Sequence, residues 1–193
     1  MLTPLTFRCT GCGNCCRSLR VAVTAVDVAR LARATGAAPS ELVHWLAPDE
    51  VDMAGEPASF VELREGRRLM VLAHAQGACT LLAAGGQCTV YAARPRDCRA
   101  YPFDFAAAPV RRLGLLPLGD CEYAEDGRND PAELEAEDRA RWAELASYQA
   151  WVAAWNRRAW HRRRLHKSVG DAADFLRCAL AEQPAPVNLA PRS

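Results

Sequence analysis

The sequence lacks most of the features that would place it in the common functional classes. It has no apolar run near the roughly 18 residues that a membrane span needs. Residues 1–8 lack the charged start and apolar stretch of a secretory signal, so the expected location is the cytoplasm, without a membrane partner. Excess charge of either sign is missing too: 24 basic residues face 23 acidic ones, a formal net charge of +1. That balance argues against nucleic acid as a partner. Lysine is almost absent, Lys167 being the only one, and with the abundant alanine this reads as gene base composition. There is no G-x-x-x-x-G-K-S/T phosphate loop, no G-x-G-x-x-G dinucleotide fingerprint and no H-E-x-x-H pair. His44, His74, His161 and His166 are scattered and read as structural. The C-x-x-x-C-x-x-C arrangement of radical S-adenosylmethionine enzymes is missing, since Cys12 and Cys16 have its first interval and nothing follows at its second. No acid, base or nucleophile stands out, so the sequence assigns no reaction and leaves open whether the chain is an enzyme.

What the chain does have is nine cysteines. In a reducing compartment such clusters read as metal or redox sites, not as disulfides. Cys9-x-x-Cys12-x-x-Cys15-Cys16 sets four thiols in eight positions. A C-x-x-C spacing lets two thiolates converge on one ion while backbone N–H groups between them point at the sulfurs. Three in succession are similar to the run in bacterial-type ferredoxins, where a further cysteine completes the site from elsewhere. Gly11, Gly13 and Asn14 tolerate left-handed backbone and suit a loop wrapped closely around a cluster. Cys15 and Cys16 are adjacent, and in extended backbone adjacent side chains point apart. The pair is therefore expected to serve two sites, or two metals of one cluster.

Cys79, Cys88, Cys98 and Cys121 supply four more thiols. Eight candidate ligands suffice for two four-ligand sites, or for one cluster with spare thiols. All-thiolate ligation suits zinc and iron–sulfur clusters alike. Structural zinc usually takes paired C-x-x-C knuckles, whereas the downstream cysteines are separated by eight and nine residues. The expected cofactor is an iron–sulfur cluster of the 4Fe-4S type, with zinc as the alternative. Cys178, at an apolar position of the last helix, reads as a buried small hydrophobe and is excluded from the ligands.

The expected fold class is α+β: a small, irregular, metal-stabilised cysteine-rich module with short helices and hairpins, followed by a long C-terminal helix. The division falls at residues 1–128 and 129–193. Residues 1–23 read as a loop too irregular for a helix. Thr24 and Asp27 cap an amphipathic helix over Ala25–Ala34, stopped by Gly36, and Ser40 caps a second over Glu41–Ala47. Ser59–Leu63 and Arg67–Ala73 read as a hairpin, and a further strand, or a strand pair, falls within Val110–Leu118. From Pro131 to Lys167 the pattern is one helix, with Trp142, Leu145, Tyr148, Val152, Trp155 and Ala159 as its buried face. Its acidic start and basic end complement the helix macrodipole. Asp171–Glu182 reads as a closing helix and the residues after Gln183 as a tail.

The Cys9–Cys16 run, Cys79-Thr-Leu-Leu and Cys88-Thr-Val-Tyr-x-x-Arg-Pro-x-x-Cys98-Arg-x-Tyr-Pro-Phe together resemble the CxxCxxCC cysteine-cluster family, also called the YkgJ type. The resemblance covers residues 7–123 and implies a zinc- or iron-chelating domain, with the cysteines as ligands. One branch of that family includes the flagellin lysine N-methylase, which implies that the module can sit within a protein-modifying enzyme and have a protein as substrate or redox partner. Arg94 and Arg99 flank Cys98 and are placed either to offset thiolate charge or to pair with Asp97 and Asp104. Tyr91, Tyr101 and Phe103 read as an apolar wall around the site.

Overall fold

The structure is a computed structural model and describes residues 6–51, 57–106, 112–116 and 121–182. In chain order the elements are β1 (Arg8–Cys9), α1 (Asn14–Ser18), α2 (Ala25–Thr35), β2 (Val43–Leu46), β3 (Val61–Leu63), β4 (Gly66–Leu72), β5 (His74–Ala75), β6 (Ala78–Cys79), α3 (Arg96–Ala100), β7 (Phe103–Ala106), β8 (Arg112–Leu115), β9 (Tyr123–Ala124), α4 (Pro131–Arg164) and α5 (Ala172–Glu182). The class is α+β, with small antiparallel sheets and one long C-terminal helix. Among the described residues no helix is long and apolar enough to cross a membrane.

Local signals explain α2. The Thr24 hydroxyl accepts from the Asp27 N–H at 3.1 Å, and the Asp27 carboxylate accepts from the Thr24 N–H at 3.1 Å. This reciprocal cap satisfies donors that the first turn leaves free. Gly36 ends the helix in the left-handed region, its N–H bonded to Ala32 O at 2.8 Å. The sheet β2-β4-β3 is antiparallel, with Val43 opposite Leu72 and Val61 opposite Arg68. Residues of β4 alternate between two apolar clusters, as a strand with period two must. Met70 and Leu72 enter the main core, while Leu69 and Val71 pack with Phe60.

The expected helix over Glu41–Ala47 is not found. Residues 39–41 form one 3-10 turn and the chain then runs as β2. Val43 and Trp45 favour a pleated surface, and four residues of pairing with β4 outweigh a helical pattern too short to nucleate itself. The hairpin β3–β4, the strand β8, α4 and α5 lie where expected. Of the stretch searched for that strand, Val110, Arg111, Pro117 and Leu118 lie outside the described residues, as does the tail beyond Glu182.

The main core crosses the pattern boundary at Pro131. Val28 and Leu31 of α2, Val43, Val61 and Met70 of the sheet, Tyr148, Val152 and Trp155 of α4, and Phe175 and Leu176 of α5 form one buried cluster. Phe175 is fully buried and meets Trp45, Trp151 and Trp155 edge-on, with ring centroids 5.4, 5.0 and 5.3 Å away. Trp142 is not part of this face. At about 100° per residue it sits roughly 120° around the helix from Tyr148, and it is 49% exposed.

Candidate metal centre

Pairing of β1 with β9 sets Cys9 opposite Tyr123, which brings Cys121 to the start of the cysteine run. The contact is fixed by Arg8, whose guanidinium donates twice to Asp126 at 2.8 Å, and by Phe7 packed between Tyr123 and Phe103. Gly11 and Gly13 both have positive φ and turn the chain into α1. A Cβ on Gly13 would stand 2.7 Å from Gly86 O and 3.0 Å from Leu82 Cδ1. Glycine there lets the Cys9–Cys16 run lie directly on the 82–88 loop, which the Leu82–Cys88 bridge closes. Cys79 ends β6. Cys98 lies in the middle of α3, bracketed by the buried prolines Pro95 and Pro102.

Cys9, Cys15, Cys16, Cys79, Cys88 and Cys98 line a single cavity of about 610 Å³. Cys12 and Cys121 are not on its wall but are hydrogen-bonded to each other, and the Cys15 charge raises Cys121 as it does Cys79, Cys88 and Cys98. Cys178 lies on α5, packed against the apolar core and off the cavity wall. The thiols surround a space and do not meet at a point. Among the described residues no three Cys, His, Asp or Glu side chains stand close enough to share one metal ion.

The loop reading of the run and the extended backbone assumed at Cys15–Cys16 need correction. Residues 14–18 form a short helix, so Cys15 and Cys16 are not in extended backbone. Successive helical side chains diverge by about 100°, not 180°. Both sulfurs consequently face the same cavity, 4.0 Å apart.

The Cys15 thiol is lowered to about 6, chiefly because Cys16 donates a hydrogen bond to it, with Arg94 assisting against the opposing effect of burial. Cys16 is raised by that same bond and by burial, so the pair holds one proton near neutrality. Burial pushes Cys79, Cys88 and Cys98 up. Backbone donors oppose it at Cys79 and Cys88, and the Arg94 charge opposes it at Cys88 and Cys98. The N–H of Gly11 donates to Cys9 Sγ at 3.4 Å, and the N–H groups of Leu81 and Val90 donate to Cys79 and Cys88. Each is the amide two residues on, the geometry in which backbone stabilises a coordinated thiolate. The Arg94 charge lowers Cys15, Cys88 and Cys98 alike. Cys121 is pushed up to about 11 by burial and by Cys12.

Arg94 therefore takes the charge-offsetting place, its guanidinium held 3.7 Å over the Tyr91 ring. Arg99 does not; it turns inward to Glu137 at 3.3 Å and to Ala92 O at 3.1 Å. Asp97 pairs with Arg141 at 3.2 Å. Tyr91, Tyr101 and Phe103 line the cavity, as expected of an apolar wall. Sequence reasoning missed His74 with its neighbour Arg20, and also Asp104, Asp138, Arg141 and Trp142, all on the same wall. No motif marks these residues; only the helical angle of Trp142 signalled its departure from the core face.

A buried ion network fixes α3, and so Cys98, in place. Arg96 of α3 donates to Glu144 at 2.8 Å and to Glu137 at 2.9 Å, both on α4. Its backbone N–H reaches Asp27 of α2 at 3.1 Å. Arg30 joins Asp27 at 2.6 Å to Glu144 at 3.0 Å. Burial raises Asp27, while Arg30 and the amides of Thr24 and Arg96 pull it back.

Residues 8–113 match the family model CxxCxxCC, described as "Putative zinc- or iron-chelating domain". The chain belongs to the CxxCxxCC family. Comparison with curated proteins and with solved structures returns no match. Seven of the eight candidate ligands fall inside the CxxCxxCC match and Cys121 lies beyond its end. The chain is thus a metal-binding protein with a zinc- or iron-chelating domain.

Proposed function

We propose that the domain holds a cysteine-ligated iron–sulfur cluster, of the 4Fe-4S type, and that the protein serves in the cytoplasm as a redox or protein-modifying component acting on a partner protein. The observation that carries this reading is the spread of six thiols over one cavity of about 610 Å³. Tetrahedral zinc with Zn–S distances of about 2.3 Å needs its sulfurs mutually about 3.8 Å apart. A polynuclear cluster holds its ligands farther apart, as thiols disposed around a space require. The donor set fits: soft thiolates, amides aimed at three sulfurs, and the Arg94 cation beside them. Four thiols drawn from Cys9, Cys15, Cys16, Cys79, Cys88 and Cys98 on the cavity wall would ligate the four irons of one cluster, with Cys12 and Cys121 as an outer pair. Such a group supplies one-electron transfer when bound.

One observation favours zinc as a second reading. The Cys15–Cys16 sulfur separation of 4.0 Å is close to a tetrahedral edge. Serine replacement, with metal measured per soluble chain, tests the ligand set. Cys15→Ser, Cys79→Ser, Cys88→Ser and Cys98→Ser are expected to lose metal, and Cys178→Ser to keep it. The assignment fails if Cys178→Ser empties the protein while Cys79→Ser and Cys98→Ser remain full.

A further inference from the structure

The charge of this chain is balanced in total and uneven in space. Six of its 24 basic residues and none of its 23 acidic ones fall within 157–167, which leaves the remainder at a formal charge of −5. No acidic residue occurs anywhere from Leu145 to Gly170. Arg157, Arg158, Arg162, Arg163, Arg164 and Lys167 are all exposed. Only Arg163 has a carboxylate partner among the described residues, Glu62 at 3.2 Å. The helix macrodipole accounts for part of this charge, since it acts within the last turn. Arg157 and Arg158 lie beyond that reach.

Arg157, Trp160, His161 and Arg164 recur at i, i+3, i+4 and i+7, so they share one outward stripe of α4. Trp160 is 53% exposed, and the Arg164 guanidinium sits 4.8 Å over its ring. We infer that this end of α4 is a binding surface for single-stranded nucleic acid, with the arginines on phosphates and Trp160 as a stacking platform for a base. A bilayer-seated helix needs a broad apolar face, and here only Trp160 and Leu165 are apolar and exposed. A protein partner would have to supply a matching acidic surface, whereas a nucleic-acid backbone carries regularly spaced negative charge of its own. A duplex offers no free base face to the indole, whereas an unpaired strand does. The surface lies about 25–35 Å along α4 from the cavity side of Trp142, and the inference does not rest on which metal the domain holds.

The test is fluorescence anisotropy of the full-length, metal-loaded protein with a labelled single-stranded oligonucleotide, a duplex of equal length, and vesicles containing phosphatidylserine. The single strand is expected to bind best. If about four phosphates are neutralised, affinity should fall about 50-fold from 50 to 200 mM salt. Arg157→Glu with Arg164→Glu should abolish binding, and Trp160→Ala should weaken it about 5-fold or more while Trp160→Phe retains most of it. These positions are exposed, so unchanged metal content and melting temperature serve as the folding control. Preference for vesicles or duplex, no binding at 50 mM salt, or binding indifferent to the charge reversal would overturn the inference.

Discussion

Replacing Arg96 by methionine tests how the C-terminal helix holds the metal domain together. Arg96 is 11% exposed, and Glu137 and Glu144 are 12% and 11% exposed, so the pairs are largely out of water. The network contains three carboxylates, Asp27, Glu137 and Glu144, and three guanidinium groups, Arg30, Arg96 and Arg99. Methionine keeps much of the volume but leaves a net buried negative charge. Breaking a buried pair from one side costs about 3 kcal/mol or more. For a chain of this length that is a fall of about 6–12 °C in melting temperature. Because α3 carries Cys98, metal should also dissociate faster. Adding Glu137→Gln to Arg96→Met restores the balance of charge and should recover part of the loss. Urea unfolding of the two variants and of Glu137→Gln alone supplies the comparison. A cost for Arg96→Met below about 0.5 kcal/mol, the range of surface pairs, would refute the reasoning.

Other perturbations have equally definite outcomes. Ending the chain after Arg128 removes Tyr148, Val152, Trp155, Phe175 and Leu176 from the shared core; the fragment should bind a hydrophobic dye and unfold without cooperativity, and a cooperative transition would count against a common core. Gly13→Ala places a Cβ 2.7 Å from Gly86 O at positive φ, so it should cost about 1–3 kcal/mol and lower metal content, where an unchanged protein would mean the run does not lie on the 82–88 loop. In reduced, metal-free protein one thiolate should form near pH 6 from Cys15 while Cys16 stays protonated, because the shifts run in opposite directions. Thiolate absorbance should therefore rise with pH by one group through that range and lose the step in Cys15→Ser; no step below about pH 8 would contradict the shared proton.

Much of this was legible where the signal is local. Thr24, Asp27 and Gly36 mark α2 because a cap and a left-handed stop are each decided within four residues. Pro131 and the apolar spacing mark α4 for the same reason. Val43–Leu46 was not legible, since only the neighbouring β4 makes that segment a strand. The candidate thiols stand out by spacing, but the cavity that gathers six of them does not. It depends on the 82–88 loop seated against Gly13, and on α3 held to α4 by charges far apart in sequence. His74, Arg20 and Arg141 reach the site only through that packing.

The most direct test of the central claim is iron and acid-labile sulfide per chain in protein purified without oxygen. An iron–sulfur centre predicts a brown protein with both elements present and broad visible absorption that dithionite bleaches. A colourless protein that contains zinc and no labile sulfide would contradict it.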